Sequence, residues 1–262
     1  MFNRLVKYLN KHQILFNKQF GFRPNHSTLQ AILSITDQIQ TAIENKLFSC
    51  GIFLDLSKAF DTVDHNILIN KLGHYGVEGI ANKWFKSYLS NRKQYVSLGN
   101  TKSCTLSIPC GVPQGSVLGP LLFLIYVNDF HRSSPILNFH LFADDSNLFY
   151  ADKSLVNLES TMNIQLSLVQ DWLCSNKLSL NIDKSNFVIF HPAQKKLNYT
   201  PELKINSKPL QSKTEIKYLG IMVDSHLNWK SHVSYISQKI KRNIGIISKA
   251  RHYINLDILK NL

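Results

Sequence analysis

SCGIFLDL, residues 49–56, and HLFADDSNLFY, residues 140–150, are short apolar runs with β-branched and aromatic character, and each carries carboxylates where a buried strand should be apolar. The first reads as a buried strand with Asp55 at its end. The second reads as a tight hairpin with Asp144 and Asp145 at its tip. Burying an unpartnered carboxylate is costly, and two adjacent ones repel. The remedies are protonation, a Lys or Arg partner, or a hard divalent cation with oxygen ligands. No Lys or Arg lies within LFADDSNLFY. If the two elements lie side by side, Asp55 and Asp144 converge on one face and form a site for Mg²⁺, which takes few carboxylates and completes its octahedron with water and substrate phosphates. Taken alone, the Asp pair is also explained by turn chemistry, for which Asp is favoured.

Outward from these stretches the chain alternates helical and strand patterns. Residues 1–50 read as helical, interrupted by the loop QFGFRPNHST (19–28), with Ser27 or Thr28 as the cap of the second helix. After Asp55, DTVDHNILINKL returns to helical spacing with Asp61 or Thr62 placed to cap it. Residues 84–110 open as a helix and continue as a hairpin around Gly99 and Asn100. GVPQGSVLGPLLFLIYVNDF (111–130) is a Gly and Pro loop running into a helix apolar on every side, which belongs in a core. Leu155 to Leu173 is helical again, and two strand pairs follow, around KLSLNIDKSNFVIFHP (177–192) and TEIKYLGIMVD (214–224). The end is an amphipathic helix with Val233, Ile236, Ile240, Ile244 and Ile247 on one side and Lys239, Lys241, Arg242, Lys249 and Arg251 around it.

Charge points to the partner. Thirty Lys and Arg against 17 Asp and Glu give a net charge of +13, which calls for a polyanion, either nucleic acid or an acidic membrane. Residues 191–262 hold 13 basic and four acidic side chains, so nine of those 13 positive charges lie there. The longest apolar run, Val117 to Val127, is shorter than the roughly 18 residues a bilayer span needs, and no secretory signal is present. Four cysteines at 50, 104, 110 and 174 have neither zinc spacing nor disulfide density. They read as reduced thiols of an intracellular, nuclear or cytoplasmic, protein.

In this order and separation, GIFLDLSKAFDTVDHNIL (51–68), GVPQGSVLGPLLFLIYVNDF and LFADD (141–145) resemble the palm motifs of reverse transcriptases from non-LTR retrotransposons, the LINE-like and jockey-like group. QFGFRPNHST is similar to that family's fingers motif, KLSLNIDKSNFVIF to the strand motif after the acids, and KYLGIMVD to the primer grip. Group II intron reverse transcriptases share the architecture, but they usually have Tyr where this chain has Phe142 and Gly where it has Ser116. The resemblance implies an α+β right-hand polymerase with an antiparallel palm sheet backed by helices. Residues 1–50 would be partial fingers, 51–228 the palm with fingers insertions, and 229–262 the start of a thumb. It implies RNA-directed DNA synthesis on an RNA template and a DNA primer from deoxynucleoside triphosphates. Members of the group often carry an endonuclease upstream; none is visible in this sequence, so no DNA cleavage by this chain is expected. The alternatives are a catalytically inactive nucleic-acid-binding remnant of such an element and a group II intron-type reverse transcriptase.

The resemblance also implies residue roles. Asp55 and Asp144 would hold two Mg²⁺ ions, replaceable by Mn²⁺, with Asp145 in support and the Leu56 carbonyl as a further ligand. Phe60 would be the steric gate against a 2′-hydroxyl. Gln114 would lie against the incoming nucleotide, Arg23 would contact its triphosphate, and Lys184 would assist the pyrophosphate leaving group. Tyr218, Leu219 and Gly220 would form the primer grip, while Lys239, Lys241 and Arg242, with Lys249 and Arg251, would face duplex phosphates. Asp61 and Asp64 read as structural, at a helix start.

Overall fold

A computed structural model describes residues 1–251. Its centre is a strand with no polar side chain facing solvent: β1 (Phe48–Leu54) is buried at all seven positions. Before it come α1 (Phe2–Lys11) and α2 (Thr28–Glu44). Ser27 caps α2 in a reciprocal box, its hydroxyl accepting from the Gln30 N–H while Gln30 accepts from the Ser27 N–H. After β1 come α3 (His65–His74), α4 (Gly79–Leu89) and two short nested ladders, β2 (Lys93–Gln94) with β5 (Leu106–Ser107) and β3 (Ser97–Leu98) with β4 (Thr101–Lys102). Gly99 and Asn100 turn that hairpin, as expected. Next is α5 (Gly119–Val127), buried on every side except at Pro120 in its first turn.

β6 (Asn138–Phe142) and β7 (Asp145–Asp152) form the expected hairpin, and α6 (Leu155–Ser175) follows, capped by Ser154. β8 (Asn186–Phe190) returns beside β1. A small hairpin of β9 (Lys204–Ile205) and β10 (Lys208–Pro209) leads to β11 (Gln211–Lys213). Last come the pair β12 (Glu215–Tyr218) and β13 (Ile221–Asp224), and α7 (Lys230–Ala250). Positions 252–262 of the expected thumb start lie outside the described residues.

The main sheet has the order β11-β8-β1-β7-β6. Its inner pairs are antiparallel, but β11 joins β8 in parallel, so the sheet is mixed and not wholly antiparallel. A parallel neighbour needs a crossover. Residues 191–210 supply one, tied to α6 where Asn163 accepts from the Lys204 N–H at 2.9 Å and donates to the Glu202 carbonyl at 3.0 Å.

Two expectations are corrected. KLSLNIDKSNFVIF is not a strand pair: Leu180 bridges Leu56, and β8 pairs with β1, because the long apolar β1 offers more buried partners than a local hairpin. The cap of α3 is Asp64, not Asp61 or Thr62. Its carboxylate accepts from the Asn66 and Ile67 N–H groups and from Lys177 at 2.6 Å. Asp61 is occupied elsewhere, since the chain packs so tightly at Gly111 that a Cβ there would stand 2.8 Å from the Asp61 carbonyl.

Side chains of β1 alternate between two cores. Cys50, Ile52 and Leu54 pack with α1, α3, α5 and α6. Phe53 packs on the other face with Phe149, Val188, Phe190, Tyr218 and Ile35 and Ile39 of α2. Gly51 makes room on that second face, because a Cβ there would meet the Phe149 ring at 2.5 Å and the Phe190 ring at 2.9 Å. At the outer side of β6, residues 18–20 run alongside as a strand-like strip: the Phe20 N–H donates to the Leu141 carbonyl at 2.8 Å, and the Leu141 N–H donates to the Lys18 carbonyl at 2.9 Å.

Candidate active site

The β1–β7 register pairs Phe48 with Asp152 and Leu54 with Ser146. One step further along both strands sets Asp55 opposite Asp145, with Asp144 next to it in the turn. Alternation puts Phe53, Asn147 and Phe149 on the α2 face, so Asp55 and Asp145 fall on that face too. Sequence reading sets Asp55 against Asp144; the register instead sets Asp145 opposite Asp55 at the end of the two central strands, with Asp144 beside it in the turn. Loss of hydration over the sheet end, then the charges of Asp144 and Asp55, push the Asp145 carboxyl up to about 6 although it opens to solvent on one side.

The turn and strand end that carry these acids are held by distant groups. The turn has two central residues, Ala143 and Asp144, closed by the pair Phe142 and Asp145. Ala143 has a φ of 57°. Asp55 is held by its backbone: its N–H donates to Ser185 Oγ at 3.2 Å and its carbonyl accepts from the Asn181 N–H at 2.8 Å. Ser185 is fully buried and donates in turn to the Asn181 carbonyl at 2.9 Å. Leu56 and Leu180 face each other as a pair without mutual hydrogen bonds, flanked by bonds from Ser57 N–H to the Ser179 carbonyl and from Asn181 N–H to the Asp55 carbonyl. In such a pair the carbonyl points away from its partner strand, so the Leu56 carbonyl turns toward the side of β7 and the acids.

No ion pair reaches Asp55, Asp144 or Asp145 among the described residues. Nor, among those residues, do three His, Cys, Asp or Glu side chains stand close enough to enclose a metal by themselves. Two or three uncompensated carboxylates and an outward carbonyl are the partial donor set that suits Mg²⁺, which keeps open positions for water and phosphate.

Around this rim the other expected residues take varied places. Phe60 is half-buried, stacked on Phe123 at 4.4 Å and edge-on to Phe22 at 6.1 Å. Gln114 is exposed and donates to Asp61 at 2.8 Å, at a cleft of 660 Å³ that Lys58 and Arg92 also line. Arg23 is tied into its own loop, Nη1 donating to the carbonyls of Phe16 at 2.7 Å and Gln19 at 3.3 Å, and partial burial lowers its pKa. Lys184 is exposed in the turn between Leu180 and β8, with no carboxylate within ion-pair distance among the described residues.

Tyr218 is buried against Phe53, and burial, then the charge of Asp145, hold its hydroxyl pKa well above the usual phenol range. Leu219 (φ 44°) and Gly220 (φ 93°) form the two-residue turn of the β12–β13 hairpin, a conformation that suits Gly and strains Leu. Lys239, Lys241 and Arg242 are exposed on α7, with the Lys239 ammonium over the Tyr235 ring at 4.7 Å. Among the described residues none of Arg23, Lys184 or the α7 cations forms an ion pair with the acids.

Sequence reading missed two buried polar groups, Ser185 behind Asp55 and Gln19 beside Ala143. Both partnerships span more than 120 residues, so no local pattern announces them; only their position inside motif-like segments hinted at a role.

The sequence profile of the family described as reverse transcriptase (RNA-dependent DNA polymerase) matches residues 1–223. The chain belongs to this family. Among its relatives is the RNA-directed DNA polymerase from mobile element jockey of Drosophila melanogaster, 29% identical over 261 residues, covering 94% of this chain and 27% of that protein. Another is the probable RNA-directed DNA polymerase from transposon X-element of the same fly, 30% identical, covering 95% of this chain and 27% of that protein. Both relatives come from mobile elements, and this reverse-transcriptase chain spans about a quarter of their length. A telomerase from Candida tropicalis solved with a fragment of telomeric RNA superposes with a TM-score of 0.60 over 87% of this chain and 36% of its own, at 10% identity. At that identity the likeness is one of fold, the right-hand polymerase fold. Among the described residues no helix is long and apolar enough to cross a membrane.

Proposed function

We propose that this chain performs RNA-templated DNA synthesis for a non-LTR retrotransposon. The primer 3′-hydroxyl oxygen attacks the α-phosphorus of a deoxynucleoside triphosphate, a new phosphodiester forms, and the bond to pyrophosphate breaks. The supporting observation is the convergence of Asp55, Asp144 and Asp145 with no cation to balance them among the described residues.

Asp55, Asp144 and the Leu56 carbonyl would hold Mg²⁺, with Mn²⁺ as a substitute, and Asp145 would support them. When bound, the ions would supply activation of the 3′-hydroxyl and neutralisation of the triphosphate. The chain's own contribution is positional and electrostatic. Ser185 and Asn181 fix the Asp55 backbone. Phe60, backed by Phe123, presents bulk where a ribose 2′-hydroxyl would enter. Gln114 lies against the incoming base, and Arg23, on leaving its loop carbonyls, reaches the triphosphate. Lys184 gives a proton to the departing pyrophosphate. Tyr218, Leu219 and Gly220 steady the primer, and Lys239, Lys241 and Arg242 meet backbone phosphates of the template duplex.

Primer extension on an RNA template with Mg²⁺, Mn²⁺ or chelator, with template binding recorded in parallel, tests this reading. Asp144→Asn should lower extension by about a thousandfold, the scale of losing several kcal/mol of metal stabilisation, with binding nearly intact. Tight binding with no synthesis under either metal would favour an inactive nucleic-acid-binding remnant.

A further inference from the structure

Gln19 lies in the loop between α1 and α2 and is 2% exposed. Its carboxamide oxygen accepts two backbone N–H groups, that of Gly21 at 2.9 Å and that of Ala143 at 3.0 Å. Ala143 is the residue before Asp144 and the first central residue of the β6–β7 turn. In a two-residue turn closed by Phe142 and Asp145, the Ala143 N–H has no place in the hairpin's own ladder, and an unpaired donor in a buried position is costly. Ala143 also holds a left-handed backbone, at φ 57°, that an L-residue with a Cβ disfavours. The turn that presents the acids is thus not self-sufficient, and Gln19 supplies what it lacks.

The loop is built for this contact. Gly21 approaches the turn so closely that a Cβ there would stand 2.4 Å from the Ala143 nitrogen. Arg23 braces the Gln19 carbonyl at 3.3 Å, and the Leu141 backbone exchanges bonds with Lys18 and Phe20 on either side. The other half of the Gln19 amide, Nε2, has no hydrogen-bond partner among the described residues. The acceptor oxygen is therefore the half that does the holding.

We propose that Gln19 is a positioning residue for Asp144: from the loop before α2 its carboxamide oxygen fixes the tip of the β6–β7 hairpin through the Ala143 N–H. The proposal rests on the reading of Asp144 as a metal-holding acid. Without the contact the turn relaxes toward conformations its residues prefer, and the Asp144 carboxylate moves with it. A displacement of about 1 Å at a reacting centre costs on the order of a hundredfold in rate.

The test uses the full chain with Gln19→Met, which keeps length and removes the acceptor, and Gln19→Glu, which keeps an acceptor oxygen. Amide hydrogen exchange at Ala143 should quicken by about tenfold or more in Gln19→Met and be restored in Gln19→Glu. In primer extension, Gln19→Met should lose about ten- to a hundredfold in kcat and need more Mg²⁺ for half-maximal rate. Nucleotide KM and template-primer Kd should stay within about twofold of the parent, and Gln19→Glu should recover most of kcat. Unchanged exchange at Ala143, or faster exchange with unchanged kcat and Mg²⁺ requirement, overturns the proposal; so does an equal fall of kcat and template binding in both variants. Should Gln19→Met not fold, Gln19→Asn, which withdraws the acceptor by one methylene, is read by the same measures. If the parent chain makes no DNA with either metal, the polymerase reading fails, while exchange at Ala143 still decides whether Gln19 holds the tip.

Discussion

Replacing Asp145 by Asn should make the metal-free protein more stable at neutral pH and less so, relative to the parent, in acid. In the unfolded chain the carboxyl titrates near 3.8, and in the folded protein near 6. Between those values the folded state binds the extra proton, so stability falls as pH rises through the window, and the full cost is present above it. A displacement of that size corresponds to a ceiling of about 3 kcal/mol. Because the carboxylate opens to solvent, screening cuts this to about 1 kcal/mol. Asp145→Asn should then raise the unfolding midpoint by about 2–4 °C at pH 8 in chelator, with the gain fading as the pH approaches the ordinary Asp value. Added Mg²⁺ should stabilise the parent more than the variant, since a bound cation neutralises the same charge. The assay is thermal unfolding by circular dichroism across that pH range. A variant that is no more stable at pH 8, or equally stabilised at every pH, would refute the argument that lost hydration and neighbouring charges strain this carboxylate.

Phe60→Ala should raise ribonucleotide incorporation selectively in a competition assay, and unchanged sugar discrimination would remove the gate. Since Phe60 also stacks on Phe123, the same change should cost about 2 kcal/mol in urea unfolding, below the range for a fully buried Phe. Gly51→Ala drives a methyl into the Phe149 and Phe190 rings and should destabilise by about 1–3 kcal/mol, read as a lower urea midpoint at constant slope. Asp64→Ala removes the cap of α3 and the Lys177 partner, which hold that carboxyl below its ordinary value. The expected cost is about 1 kcal/mol at pH 7, present above the unfolded pKa and lost as pH falls through the folded one, so unfolding curves of parent and variant should merge in strong acid.

What could be read from the chain was what strands and turns announce locally. β1 and the β6–β7 hairpin show themselves because acids interrupt runs that are otherwise apolar, and α5 because no face of it is polar. Convergence of Asp55 with the Asp pair followed from one pairing assumption, which the β1–β7 register bears out. The failures have a shared cause in distance. Asp61 and Thr62 have capping chemistry as good as Asp64, but Gly111 and Gln114 claim Asp61 from some 50 residues away. Leu178 and Leu180 alternate like a strand, yet Leu180 finds its partner in Leu56 instead of in the neighbouring β8. The parallel entry of β11 depends on a crossover over α6 that no local pattern encodes.

The strip of residues 18–20 along β6 has a meaning for the behaviour of the protein in solution. An open strand edge is a template on which another chain can polymerise as added β-structure. On the β6 side that template is already satisfied by the protein's own loop, while the opposite edge is β11, only three residues long and ending in Lys213. Self-association by sheet extension is thus discouraged at both flanks. For the main sheet of this strongly basic protein, that leaves the charged surface and not the backbone edge as the face offered to other molecules.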